Sequence, residues 1–202
     1  MQPDARACFL RACALDVAVP KPGNVSLASP GHGMQAAQFL ASAQAAAQAL
    51  FRRGVPVGER IEAAMAASWA AAGCNTNLGI LLLCAPVAVA VEHEPGPHTA
   101  ASLRGAIETV LAGLDRADAA AAFRGIALAN PGGLGRADAQ DVREAPSVTL
   151  REAMALAAGR DLIARQYLNG YAELFELGLH SLPPAFSLQP EAAEAASADA
   201  AT

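Results

Sequence analysis

The first candidate for chemistry is a short polar segment in which a lysine stands between two prolines. Its residues in order are Lys21, Pro22, Gly23, Asn24, Val25 and Ser26. Pro20 and Pro22 fix their own φ angles and push the residues before them toward extended conformations, so this backbone is not helical. A loop that carries an ammonium, an amide and a hydroxyl group favours binding of a phosphate-bearing ligand. The glycine-rich run 30–33, which contains His32, follows directly.

A second candidate lies at the start of the most apolar segment of the chain. The residues there are Asn75, Thr76, Asn77, Leu78 and Gly79. The free N–H groups and the positive dipole end of a helix that begins here favour an anion or a carboxylate. The alternative is that Asn75 or Thr76 only caps the helix. Because one capping residue would suffice, the polar side chains in succession favour a binding role.

A third candidate is a glycine-rich loop followed by acidic residues. Glycines let backbone N–H groups approach phosphates, and carboxylates are ligands of Mg²⁺. The alternative is a flexible surface loop, but unstructured loops as long as this one, about 19 residues over 130–148, are usually functional or disordered. The residues concerned are Gly132, Gly133, Leu134, Gly135 and Arg136, then Asp138, Asp141, Arg143 and Glu144.

The last candidate is an acid–base pair on a predicted helix. Asp161 and Arg165 are four residues apart, which is the spacing of an exposed ion pair worth about 0.3–0.5 kcal/mol. The neighbours of Asp161 are mostly alanine and leucine, so partial burial is expected. His93 and His98 lie in a Pro/Gly-rich segment and are predicted to be solvated.

The elements that position these residues are predicted to be helices. Hydrophobic residues make up 53% of the 202 residues and aromatic residues only 4%, so the apolar content comes from alanine and leucine, which favour an all-α fold. We predict one domain over residues 1–182, a bundle of about seven helices, and a disordered tail over 183–202. The predicted helices cover about 5–19, 34–53, 58–72, 78–91, 99–114, 115–129 and 149–177.

Local signals define several helix ends. Asp4 is expected to cap the first helix, and Thr149 with Glu152 forms a capping box at the last one. Thr99 or Ser102 begins the fifth helix. Pro86 lies inside the fourth helix, where an interior proline predicts a kink or a break.

Charge and cysteine content exclude several classes of protein. The net charge of −5 gives no general attraction to nucleic acid. The longest apolar run, 78–91, has 14 residues, whereas a membrane span needs about 20; no signal peptide is expected either. The four cysteines have no zinc-site spacing, so they are expected to be reduced core thiols of a cytosolic protein.

Four blocks of sequence resemble the triphosphoribosyl-dephospho-CoA synthase family, in the family's order and over residues from about 5 to 180. They are Lys21–Val25, Asn75–Gly79, Gly132–Gly135 with Asp141-Val142, and Asp161–Tyr167. The resemblance implies an all-α enzyme that uses ATP as substrate. In the family, the 2′-hydroxyl of 3′-dephospho-CoA attacks C1′ of the ATP ribose and adenine leaves. The product is the precursor of an acyl-carrier prosthetic group.

The resemblance also implies roles for the candidate residues. Asp141 and Asp161 are the candidates for the carboxylate that stabilises a ribose cation and for the general base, without an assignment of which does which. Asp141 and Glu144 are the candidate ligands of Mg²⁺. The expected nucleotide- and phosphate-binding residues are Lys21, Gly23, Asn24, Ser26, Asn75, Thr76, Asn77, Gly79, Gly133, Gly135 and Arg165.

Two departures from the family pattern leave alternatives open. Members from the citrate lyase pathway have His-Lys where this chain has Asn77 and Leu78, which resembles a divergent branch of archaea and one-carbon-metabolising bacteria. Typical members also continue beyond the predicted helices, so a site completed by another copy in a homo-oligomer is a further expectation. The alternatives are a non-catalytic nucleotide-binding or assembly module, and a one-carbon pathway enzyme that acts on a pterin or phosphoribosyl compound.

Overall fold

The computed structural model describes residues 4–20, 23–31, 33–132, 135 and 139–179. This part of the chain is helical and contains no β-strand, which confirms the all-α prediction; two isolated bridges, Ser26–Ser29 and Gly31–Met34, close small turns. The α-helices are α1 (Ala5–Ala18), α2 (Ala36–Leu50), α3 (Val57–Ala72), α4 (Leu78–His93), α5 (Ala100–Ala112), α6 (Arg116–Ala129), α7 (Leu150–Ala157) and α8 (Leu162–Asn169), and a π-helix covers Leu174–Gly178.

The core forms where α3 packs between α2 and α6 and where α4 packs on α5, α3 and α8. Glycines permit the close approach of α3 to α6, because a Cβ atom on Gly58 would overlap the backbone of Asp118. The buried Asp118 carboxylate accepts a hydrogen bond from the Gly58 N–H at 2.7 Å. This contact therefore ties the start of α3 to the start of α6.

Most of the predicted caps are confirmed. Thr99, Asp115 and Thr149 each form a capping box at the start of their helices. Asp4 does lie at the start of α1, but its side chain makes no capping hydrogen bond, so that prediction is wrong.

Helix α4 is continuous across Pro86, so the chain does not break there. Proline has no N–H group and leaves the carbonyl four residues earlier, that of Leu82, without its helical donor. The Tyr167 hydroxyl donates to this carbonyl at 2.7 Å, and the Tyr171 hydroxyl donates to the next one, Leu83, at 2.7 Å. Tyr167 of α8 thus supplies the donor that Pro86 lacks, and Tyr171, which follows α8, adds a second attachment to α4.

The prediction of one long helix over 149–177 is wrong, because the chain turns twice within it. A tight turn at 158–160 separates α7 from α8, and Asp161 caps the start of α8 by accepting from the Ala164 N–H at 2.8 Å. Gly170, with φ of 63°, ends α8, and Tyr171 follows with φ of 61°. Apolar residues keep the helical period within α7 and within α8, so the sequence pattern predicts a single helix.

The cysteines fit the prediction of core thiols only in part. All four are free, but Cys8 is exposed, Cys13 is buried, and Cys74 and Cys84 are partly covered. Burial raises the pKa of Cys13 to about 11 and that of Cys84 to about 12.

Within the residues that the structure describes, no helix is both long and apolar enough to cross a membrane. The predicted tail, 183–202, lies outside the described residues. The assignment of residues 1–182 to one domain stays a prediction.

Candidate functional site

A cavity of about 370 Å³ lies where α4, α6, α7, α8 and the long loop meet. This volume is within the range of about 300–1,000 Å³ that is usual for small-molecule sites. Its wall is mostly apolar, with a polar part formed by the loop and by the turn before α8. The polar lining residues are Gly135, Gln140, Asp141, Arg160 and Asp161, and the larger apolar ones are Leu82, Phe123, Ile126, Met154, Leu156 and Ile163.

Asp141 is buried in the cavity wall, with 8% of its surface exposed. Its Oδ1 accepts from the Arg143 backbone N–H at 3.0 Å, and the Arg143 guanidinium lies 3.3 Å from both carboxylate oxygens. The same guanidinium donates to the Gly135 carbonyl at 3.0 Å. Asp141 is therefore a buried, ion-paired carboxylate, and its partner Arg143 connects it to Gly135 earlier in the loop.

Asp161 has a different environment, since it is exposed and not partly covered as expected from its neighbours. One carboxylate oxygen is used to cap α8, and the other has no hydrogen-bond partner in the described part of the chain. The predicted ion pair with Arg165 does not form, because the chain turns at 158–160 and Asp161 precedes the helix; Arg165 instead lies 3.4 Å from Glu173.

Arg160 lines the cavity beside Asp161, and it is absent from the residues predicted from the sequence to bind the nucleotide. Its guanidinium is exposed and has no ion-pair or hydrogen-bond partner among the residues described. The sequence signal that could have identified it is Gly159, a poor helix former directly before Arg160.

The second loop faces inward and does not line the cavity. Ser42 of α2 hydrogen-bonds Thr76 at 2.7 Å, and Ser68 of α3 donates to the Asn77 amide oxygen at 2.6 Å. The N-cap of α4 is Asn77, so the alternative that Asn75 or Thr76 is the cap is wrong. Asn75 still accepts from the Leu78 N–H at 3.2 Å, which satisfies one donor of the first turn. Sequence reasoning missed both serines, although each is a lone hydroxyl on the buried face of an Ala-rich helix.

Gly79 connects this loop to the cavity. A Cβ atom at this position would lie 2.7 Å from Cδ1 of Ile163, a residue of the cavity wall. The glycine therefore lets α8 pack closely on the first turn of α4. This contact does not test the predicted role of Gly79 in nucleotide binding, which stays a prediction.

The described residues of the first loop lie outside the cavity lining as well. Ser26 is buried and pairs with Ser29, whereas Gly23 and Asn24 are exposed. Val25 packs with Val17 and Ala36 in a small apolar cluster. The predicted residues Lys21 and Gly133, together with His32, lie outside the described residues.

The predicted Mg²⁺ ligands are only partly brought together. Asp141 lines the cavity, whereas Glu144 is exposed and lies outside the lining. No group of three or more metal-ligating side chains occurs in the portion of the chain that is described. Mg²⁺ that accompanies a nucleotide takes most of its ligands from phosphates and water and only one or two from carboxylates. The carboxylates of the cavity fit an ion bound in that way.

The two histidines at 93 and 98 differ from each other. His93 is exposed, as predicted, but His98 is partly covered, and its Nε2 is buried without a hydrogen-bond partner among the described residues.

Comparison with known proteins finds one match. The family model described as CitG, ATP:dephospho-CoA triphosphoribosyl transferase, matches residues 3–201, which is nearly the whole chain. Neither the curated proteins nor the solved structures contain a match.

Proposed function

Since the chain belongs to the ATP:dephospho-CoA triphosphoribosyl transferase family, we propose that the cavity between α4, α6, α7 and α8 is the site of its reaction. The protein is an enzyme that transfers the triphosphoribosyl group of ATP to a hydroxyl group of an acceptor such as 3′-dephospho-CoA, with release of adenine. The family match gives no support to a non-catalytic module or to a pterin-dependent enzyme.

One observation carries the proposal for the site. Gly135, Asp141 and Asp161 belong to two separate motifs, and all three line the same cavity. The apolar lining suits an adenine ring and the carbon face of a ribose. The carboxylates suit the positive charge that develops on the ribose as the bond between C1′ and the adenine nitrogen lengthens.

The different surroundings of the carboxylates support different roles. Asp141 is buried and held by Arg143, so it suits a fixed negative charge beside the ribose. Asp161 is exposed and keeps one oxygen unpartnered within the described chain, so it suits the general base. Asp161 would accept the proton of the acceptor hydroxyl as the hydroxyl oxygen bonds to C1′. The electrons of the C1′–N bond would leave with adenine, which takes a proton from water and departs as the neutral base.

Magnesium enters this proposal as a companion of the nucleotide. Of the two predicted ligands, Asp141 lines the cavity, and it would hold the ion together with phosphate oxygens and water. When bound, the ion would neutralise charge on the triphosphate. A role for Glu144 stays a prediction.

Location and assembly are proposed from other features. The net charge of −5 and the four free cysteines support a cytosolic protein that binds small molecules and neither nucleic acid nor membranes. A homo-oligomer stays a prediction, which the mass in solution would test.

The experiment combines the protein with ATP, Mg²⁺ and 3′-dephospho-CoA and follows adenine and the conjugate by mass spectrometry. The expected result is one adenine for each conjugate that carries the added triphosphoribosyl mass. Formation of ADP without adenine, or no reaction of ATP with this acceptor, would contradict the proposal. Omission of the acceptor is the control, because it separates transfer from hydrolysis of the nucleotide.

A further inference from the structure

The geometry points to Arg160 as the residue that binds phosphate groups of a substrate at the cavity, an inference that rests on the proposed function. Among the described residues that line the cavity, Arg160 is the sole cation, whereas Asp141 and Asp161 are both acidic. Arg143 offsets the charge of Asp141, so Arg160 is the cation of this described lining that is left to attract a phosphate-bearing substrate beside Asp161. This attraction favours binding of the charged part of the substrate close to Arg160.

Three described arginines of the long loop, α7 and α8 already have partners. Arg151 pairs with Glu108 at 2.7 Å, Arg165 with Glu173 at 3.4 Å, and Arg143 with Asp141 at 3.3 Å. The Arg160 guanidinium is exposed and has no partner among the described residues, although acidic side chains line the same cavity. A guanidinium offers five N–H donors in a planar fork that matches a phosphate.

The backbone holds Arg160 in place even though its side chain has no partner in the described part of the chain. Its N–H donates to the Ala157 carbonyl at 3.0 Å, and the N–H of Asp161 donates to the same carbonyl at 3.0 Å. This turn puts a candidate base and a free cation next to each other at the start of α8. The phosphate-binding role that the sequence predicts for Arg165 therefore suits Arg160 better, because Arg165 is engaged with Glu173 and lies outside the lining.

The shared chemistry of the ligand is a phosphate oxyanion, and it has two possible sources. One is the triphosphate of ATP, and the other is the diphosphate of 3′-dephospho-CoA. Steady-state kinetics with each substrate varied in turn distinguishes them, because loss of a contact with one substrate raises the KM for that substrate.

The test compares Arg160→Ala and Arg160→Lys with the wild-type protein. Loss of a charge-assisted hydrogen bond predicts that the KM for one substrate rises about tenfold to a hundredfold in the alanine variant. Lysine keeps the charge but not the fork, so its KM is expected to lie in between. Arg52→Ala is the matched control, because Arg52 is also exposed but lines a separate groove between α2 and α3; its KM values should match those of the wild type.

A rise in the KM for ATP assigns Arg160 to the donor, and a rise in the KM for dephospho-CoA assigns it to the acceptor. Unchanged KM values for both substrates, or a fall in kcat that only follows a lower melting temperature, would overturn the inference. Calorimetric titration with ATP and with dephospho-CoA tests the role of Arg160 independently of the transfer reaction. If the wild-type protein releases no adenine, the proposed transfer reaction is wrong. The inference about Arg160 then depends on binding alone, and it holds if Arg160→Ala binds either ligand at least about tenfold more weakly than the wild type.

Discussion

Replacing Tyr167 with phenylalanine removes the hydroxyl that satisfies α4 at its proline. Tyr167 is fully buried, and its hydroxyl lies 2.7 Å from the Leu82 carbonyl. Pro86 has no N–H group for this carbonyl, so the substitution leaves a buried acceptor unpaired, which costs about 1–3 kcal/mol. For a chain of this length, a loss of about 2 kcal/mol lowers the melting temperature by about 4–8 °C.

A double-mutant cycle with Pro86→Ala isolates the cause. Alanine restores the backbone N–H that helical geometry aims at the Leu82 carbonyl, so Tyr167→Phe is expected to cost at least about 1 kcal/mol less in that background. Urea unfolding of the four proteins provides the free energies. Tyr171→Phe is the control, because its acceptor, the Leu83 carbonyl, has the N–H of Val87 available in either background.

Equal costs of Tyr167→Phe in both backgrounds would refute the link between the tyrosine and the proline. A cost below about 0.5 kcal/mol in the wild-type background would refute it as well, since that is the range of ordinary surface substitutions. The link matters for the site because α8 carries Ile163 and begins at its cap, Asp161.

Two further predictions concern packing and pH. Gly79→Ala brings a methyl group to 2.7 Å from Cδ1 of Ile163, the end of a partly buried side chain that must change rotamer to make room; Ile163→Val removes that atom, so Gly79→Ala should cost about 0.5–1.5 kcal/mol less in the valine background, and an equal effect of Gly79→Ala in both backgrounds would contradict this. Burial raises the pKa of Cys13 to about 11 and of Cys84 to about 12, so the unfolded chain loses these protons first and stability should fall above pH 9. The slope approaches about 1.4 kcal/mol per pH unit for each thiol, and Cys84→Ala should reduce it in urea titrations, whereas Cys8→Ala should not.

The parts of the fold that could be predicted depend on short-range signals. Capping boxes at Thr149 and Asp115 are readable because the cap and its partner are three residues apart. The buried character of α4 is readable because it is apolar on all sides. The split of the last helix was missed because Gly159 is only a weak helix breaker and the apolar period continues past it.

The unpredicted parts of the candidate site depend on contacts between distant residues. The hydrogen bond from Tyr167 to the Leu82 carbonyl joins positions more than 80 residues apart. No local sequence pattern predicts it. The same holds for Ser42 and Thr76, whose hydrogen bond links α2 to the loop before α4. Spacing on a continuous helix pairs Arg165 with Asp161 and gives no role to Arg160. In the structure, Asp161 instead caps α8 and Arg165 pairs with Glu173.

The most direct test of the account is the rate of adenine release by Asp161→Asn compared with that of Asp115→Asn. Both aspartates cap a helix and both are exposed, and asparagine caps as well as aspartate, so the two variants should be about equally stable. If the cavity is the site and Asp161 is its base, Asp161→Asn should lower kcat by about 10²–10⁴-fold while Asp115→Asn keeps the wild-type rate. Equal rates in the two variants would contradict the assignment of the reaction to this cavity.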